Sequence, residues 1–196
     1  MIFAGIFVAI FSLVSIFGFH YLNKVTTTTE QCIVAQEASR EMQDGSDILT
    51  EQVRLYVMTG QEKYLNGYFK EANITKHHED AISTLRKNFE NNIDQLQGIE
   101  EAMEESNYLM NKELYAMKLT AVALNVEDMP TDLNNFELSK NDLSLNESQK
   151  LEKAQKLVSD DEYQTLKEQI STNVNRCLEE LLTITRNKQK KYYRCL

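Results

Sequence analysis

The chain has 196 residues, a formal net charge of −9, one proline, six glycines and three cysteines. That length suits one domain with a single core and leaves no room for two independent enzymatic domains. All 30 acidic residues lie between Lys24 and Thr185, where 16 Lys and Arg leave a balance of about −14; such a surface repels a phosphate backbone, so no nucleic-acid partner is expected.

Helix breakers are scarce while Glu, Lys, Gln, Leu, Asn and Met abound, and the expected fold is therefore all-α. Met1 to Leu22 carries no charged side chain. At ~1.5 Å per residue it is long enough for a hydrocarbon core of ~30 Å, and it lacks the basic start and small-residue cleavage site of a signal peptide. Residues 1–22 are read as a retained transmembrane helix, with His20 and Tyr21 at the interface. No Lys or Arg precedes this run, which leaves its orientation weakly specified.

From Lys24 a first long helix is expected to about Met58, with Ile33, Met42, Leu49, Val53 and Tyr56 on one broad face. Thr59 followed by Glu62 has capping-box spacing, and Gly60 relieves strain where the chain turns. A second helix is predicted over 61–91 with a seam of Ile74, His78, Ala81, Leu85 and Phe89. The neighbouring His77, His78 and Glu79 point about 100° apart on a helix, so His78 is read as a seam histidine rather than a metal ligand. The third helix carries heptad spacing at Ile93, Leu96, Glu100, Met103, Asn107, Met110, Leu114, Met117, Ala121 and Leu124, with Met103, Met110 and Met117 read as core.

Between Asn125 and Asn146 the periodicity stops, and Pro130 with its Asp and Asn neighbours marks a loop. A short helix is expected after a Ser144/Glu147 capping box, and a final one after Ser159/Glu162 with Tyr163, Leu166, Ile170, Val174, Cys177, Leu181 and Ile184 on its seam. Arg186, Lys188, Lys190, Lys191 and Arg194 then form a basic tail over 187–196 and its threshold, suited to anionic headgroups and expected to lead to a second membrane span. The architecture implied is a membrane-anchored antiparallel four-helix bundle over 24–186, its first and last helices reaching the bilayer. If those two run side by side, a Cys32–Cys177 bridge is geometrically possible, the alternative being small packing residues.

The run from Val53 to Tyr68, VRLYVMTGQEKYLNGY, resembles the first helical junction of CHASE-type and four-helix-bundle sensor domains of bacterial receptors, and Tyr163 to Leu182 looks like their closing helix. The resemblance implies a non-catalytic extracytoplasmic signal-input domain of a histidine kinase, diguanylate cyclase or chemoreceptor type, held in the cell membrane, homodimeric, and responding to a small-molecule or protein stimulus. The output domain and second span of such receptors do not occur in this sequence. At the junction, Arg54, Tyr56, Tyr64 and Tyr68 either pack the helices together or line a ligand pocket in which Arg54 recognises an anion.

A single-span anchored interaction module is the alternative. Neither reading calls for a catalytic residue, a metal or a cofactor: nucleophile, P-loop, zinc and dinucleotide motifs are missing, and pairs such as Glu100-Glu101 and Glu179-Glu180 read as solvated faces.

Overall fold

The computed structural model describes residues 2–90 and 93–193; the side chains of 2–10 and 93–95 are outside that description. The fold is all-α, with no strand among the described residues. The elements are α1 (Ile2–Thr59), α2 (Glu62–Lys70), a π-helical turn (Glu71–Thr75), α3 (His77–Asn88), α4 (Ile93–Ala123), α5 (Thr131–Asn134), α6 (Lys140–Leu143), α7 (Glu147–Leu157) and α8 (Asp161–Tyr193).

The 58-residue α1 passes without a break from the apolar N-terminal segment into the domain. Its Thr27, Thr28 and Thr29 hydroxyls donate to carbonyls four residues back, at 2.9 to 3.0 Å, and so need no other partner within the helix. The 33-residue α8 returns beside it in the opposite sense. At one end Arg54 Nε donates to Val158 O at 3.0 Å; at the other Gln189 Nε2 donates to Thr29 Oγ1 at 2.9 Å, and the Tyr21 and Tyr192 rings meet edge-on 6.4 Å apart. Helix α4 opposes α8 in the same way, through Asn173 to Glu105 at 3.1 Å and Lys112 to Glu162 at 2.7 Å.

The segment between α1 and α4 is not the continuous helix expected over 61–91. It is broken by the π-helical turn and by Lys76, which sits in the left-handed region at φ 53°. The break carries Ile74 outward, 76% exposed, so it leaves the seam that Ala81, Leu85 and Phe89 do form. Beyond the break, α3 packs chiefly on α1 and only lightly on α4. Gly45 permits this approach: a Cβ there would stand 3.0 Å from His77 Cβ and 3.2 Å from Glu71 Oε1.

Other boundaries differ by one or two residues for a common reason. The Thr59 hydroxyl donates back to Leu55 O and accepts the Gln61 N–H at 3.3 Å, but the N-cap of α2 is Gln61, which makes no side-chain capping bond. Asn146, not Ser144, forms a reciprocal capping box with Gln149 at α7, and Asp160 rather than Ser159 accepts the Tyr163 N–H at α8. Ser, Asn and Asp are all competent caps, and tertiary contacts choose among neighbours. The expected loop over 125–146 contains the single-turn helices α5 and α6, the latter capped by Ser139.

In α4 the expected seam holds in part, with Leu96, Met117 and Ala121 buried, but a neighbouring face is buried as well. Leu109, Glu113, Ala116, Met117 and Thr120 are buried, whereas Met110 and Leu124 are 37% and 43% exposed, Glu100 and Asn107 face outward, and Met103 is half-buried. On α1, Met42, Val53 and Tyr56 are buried as expected, but Ile33 is exposed. The α8 seam holds, with Tyr163, Ile170, Val174, Cys177 and Leu181 all buried. Cys32 and Cys177 form no disulfide; burial pushes the Cys177 thiol up to about 11.

Gly60, at φ +66°, ends α1 with a Cβ position 2.3 Å from Leu124 Cδ1. Gly60→Ala is expected to cost about 1–2 kcal/mol through left-handed strain and displacement of Leu124, read as a lowered urea midpoint with unchanged slope.

Candidate functional site

The four junction residues have different surroundings. Arg54, besides bonding Val158 O, holds its guanidinium 5.2 Å from the Tyr163 ring centroid and borders a shallow groove with Gln164 and Lys167. Tyr56 is fully buried, its hydroxyl has no hydrogen-bond partner among the described residues, and burial pushes its pKa up to about 12. Tyr64 is half-buried under the Lys63 ammonium, 4.6 Å from its ring. Tyr68 points inward, and its hydroxyl donates to Glu113 Oε2 at 2.8 Å.

Glu113 is the residue that periodicity missed. It lies four residues after Leu109 and three before Ala116, on the face that turns out to be buried, and is only 3% exposed. Tyr163 donates to its Oε1 at 2.6 Å, so each carboxylate oxygen receives one phenol. Burial pushes the Glu113 carboxyl upward; the two phenols and the Lys167 and Arg54 cations oppose that rise without cancelling it. Burial and the adjacent carboxylate both hold the Tyr163 and Tyr68 hydroxyls protonated.

Glu113 also borders a cavity of about 120 Å³ enclosed by α1, the π-helical turn, α3, α4 and α8. Much of its wall is apolar, from Met42, Leu49, Ile82, Ile99, Met103 and Ile170. A second buried carboxylate, Glu71, reaches it from the π-helical turn, where it accepts the His77 N–H at 3.2 Å and lies 2.9 Å from His77 Nδ1. His78 borders the cavity as well, and burial lowers its pKa, favouring the neutral ring. The exposed lining residues Glu79, Asn107 and Met110 place the mouth between α3 and α4, where those helices separate. None of Arg54, Tyr56, Tyr64 and Tyr68 is among the described lining residues.

Comparison of the chain with protein-family models, with curated proteins and with solved structures finds no match. The reading of this site therefore rests on its own chemistry. Among the described residues no group of three or more His, Cys, Asp or Glu is arranged to hold a metal ion. What the cavity offers is a largely apolar chamber with buried carboxyl groups, suited to holding a small molecule in one orientation.

A second polar cluster pins the 125–146 segment. Asp142 accepts from Lys153 Nζ at 2.6 Å, from Ser139 Oγ at 2.8 Å and from the Tyr115 hydroxyl. The Lys153 ammonium first, then the Tyr115 hydroxyl, lower its pKa from 3.8 to about 2. A depressed carboxyl contributes stability that is fully present above the unfolded pKa and lost as pH falls through the folded one. Urea titrations should accordingly show stability falling between about pH 4 and pH 2, with that limb flatter in Asp142→Asn.

Proposed function

We propose that the chain is the extracytoplasmic signal-input domain of a membrane receptor of the histidine kinase or diguanylate cyclase type, an antiparallel four-helix bundle standing on the bilayer and acting as a homodimer. The observation that carries this reading is the pairing of α1 and α8. One uninterrupted helix leaves the apolar segment and enters the domain, and the last helix returns alongside it to the same end. Any shift of one against the other inside the domain is delivered at that end, and displacements of ~1–2 Å are enough to bias a bistable partner.

Two features support a membrane at that end. Phe11, Leu13, Val14, Ile16, Phe17 and Phe19 are each at least 55% exposed, an apolar strip that no part of the domain covers. Opposite the same region, Lys24 sits 5.5 Å from the Tyr192 ring in the basic last turns of α8. Among the described residues no helix is long and apolar enough to cross a membrane; the first ten residues of the expected 1–22 span are among those whose side chains lie outside the description.

The alternative is a single-span anchored interaction module. Labelling tests the input reading. A cysteine introduced at the exposed Glu147, in the full chain with its own cysteines replaced, should react with a membrane-impermeant maleimide in intact bacteria, and the protein should stay with the membrane in alkaline carbonate. Reaction only after lysis, or release by carbonate, would sink the input reading.

A further inference from the structure

We propose that the cavity between α1, the π-helical turn, α3, α4 and α8 is a binding site for a small organic ammonium ion. The charge pattern of the wall gives the class of ligand. Glu71, Glu79 and Glu113 line it, and among the described lining residues there is no Lys or Arg. The Arg54 and Lys167 cations that act on Glu113 border a separate groove, and Lys167 Nζ donates to the Thr50 hydroxyl of the cavity wall at 2.5 Å. Among the described lining residues a carboxylate or phosphate ligand would find no Lys or Arg, while an ammonium finds acceptors.

Acceptor capacity remains on both buried carboxylates. Each oxygen of Glu113 takes one phenol, and among the described residues Glu71 Oε2 bonds only His77 Nδ1; a carboxylate has about four lone-pair sites. Ser106 on the wall, with Asn107 at the mouth, offers further polar atoms for an N–H₃⁺ group. Size sets the other limit. A cavity of about 120 Å³ is a little smaller than an engineered chamber known to take benzene, so the ligand has about four to six non-hydrogen atoms. Its apolar part would lie against Met42, Met103 and Ile99, where flexible thioethers adapt to shape. Glu71 reaches the site from the π-helical turn, and beyond the left-handed Lys76 helix α3 packs only lightly on α4.

The inference rests on the input reading only for its purpose, because binding can be measured whatever the helices do. The full chain in lipid nanodiscs, labelled with ¹³C at its methionine methyls, is titrated with n-butylammonium, 1-butanol and butyrate, three probes of nearly equal size. Saturable shifts are expected for the Met42, Met103 and Met110 methyls and not for Met58 or Met129, with butylammonium bound about tenfold or more tighter than butanol. Glu113→Gln and Glu71→Gln should each weaken butylammonium severalfold, and Ala102→Leu, which fills the chamber, should abolish the shifts. Equal binding of butanol or butyrate, shifts that survive Ala102→Leu, or no saturable shift with butylammonium would each overturn the site; the wild-type comparison decides even if a variant fails to fold. Binding without any change in the α1–α8 spacing, read from spin labels near Asn23 and Lys188, would sink the input reading and leave the site standing.

Discussion

Glu113→Ala is expected to destabilise the fold by about 3–5 kcal/mol, among the largest losses any single substitution here should produce. The change does more than remove a side chain. It strands two phenols, Tyr68 and Tyr163, each less than 2% exposed and each now without its acceptor. An unsatisfied buried hydroxyl costs about 1–3 kcal/mol, and the space left by the glutamate adds to that. Tyr68→Phe alone, which leaves Glu113 with one phenol, should cost about 1–3 kcal/mol.

The triple variant Glu113→Leu, Tyr68→Phe, Tyr163→Phe should behave differently. With every partner replaced by an apolar group of similar shape, nothing is left unsatisfied, and its stability should return to within about 1 kcal/mol of the parent or exceed it. Chemical denaturation of the four proteins would test this, and a triple variant as unstable as Glu113→Ala would refute a coupled network. Ionisation gives an independent check. A carboxyl whose pKa is raised by folding costs stability as pH climbs from its unfolded value through the folded one, so the parent should lose stability above about pH 4.5 and Glu113→Gln should not. A recovered triple variant would show that this polar group was not kept for stability, which is what a ligand site requires.

How far the sequence could be read depends on which element carried the information. The α8 seam was legible because its apolar residues outnumber their competitors and no second face could be mistaken for it. In α4 two faces compete: the methionine stripe keeps perfect heptad spacing, yet Met110 ends at the cavity mouth while Lys112 and Glu113 go inside. A charged residue is counted as surface until its partners are known, and those partners come from α2 and α8, 45 and 50 residues away. The break at Glu71–Thr75 left no trace for the same reason, since the segment holds neither proline nor glycine and its geometry is imposed by Glu71 bonding across to His77. The junction tyrosines were visible as a cluster, but proximity in sequence did not tell that Tyr68 alone among them would reach the buried carboxylate.

Glu37→Pro should separate the two roles of α1, as a wall of the domain and as the rod that leaves it. Glu37 is exposed on the outer face of the helix, between Ala35 and Ala38, which are both buried. Proline there removes one backbone hydrogen bond and clashes with the carbonyl of Ile33, at a cost of about 3 kcal/mol or more, whereas Glu37→Ala touches no contact and should stay within about 0.5 kcal/mol of the parent. The kink falls between Tyr21, which meets α8 near the chain ends, and Met42, where the cavity begins. In the proline variant, butylammonium should therefore still shift the Met103 and Met110 methyls once temperature is lowered to keep the domain folded, while spin labels near Asn23 and Lys188 should no longer report the bound state. If α1 transmits nothing, the proline and alanine variants will give the same label distances with and without the amine.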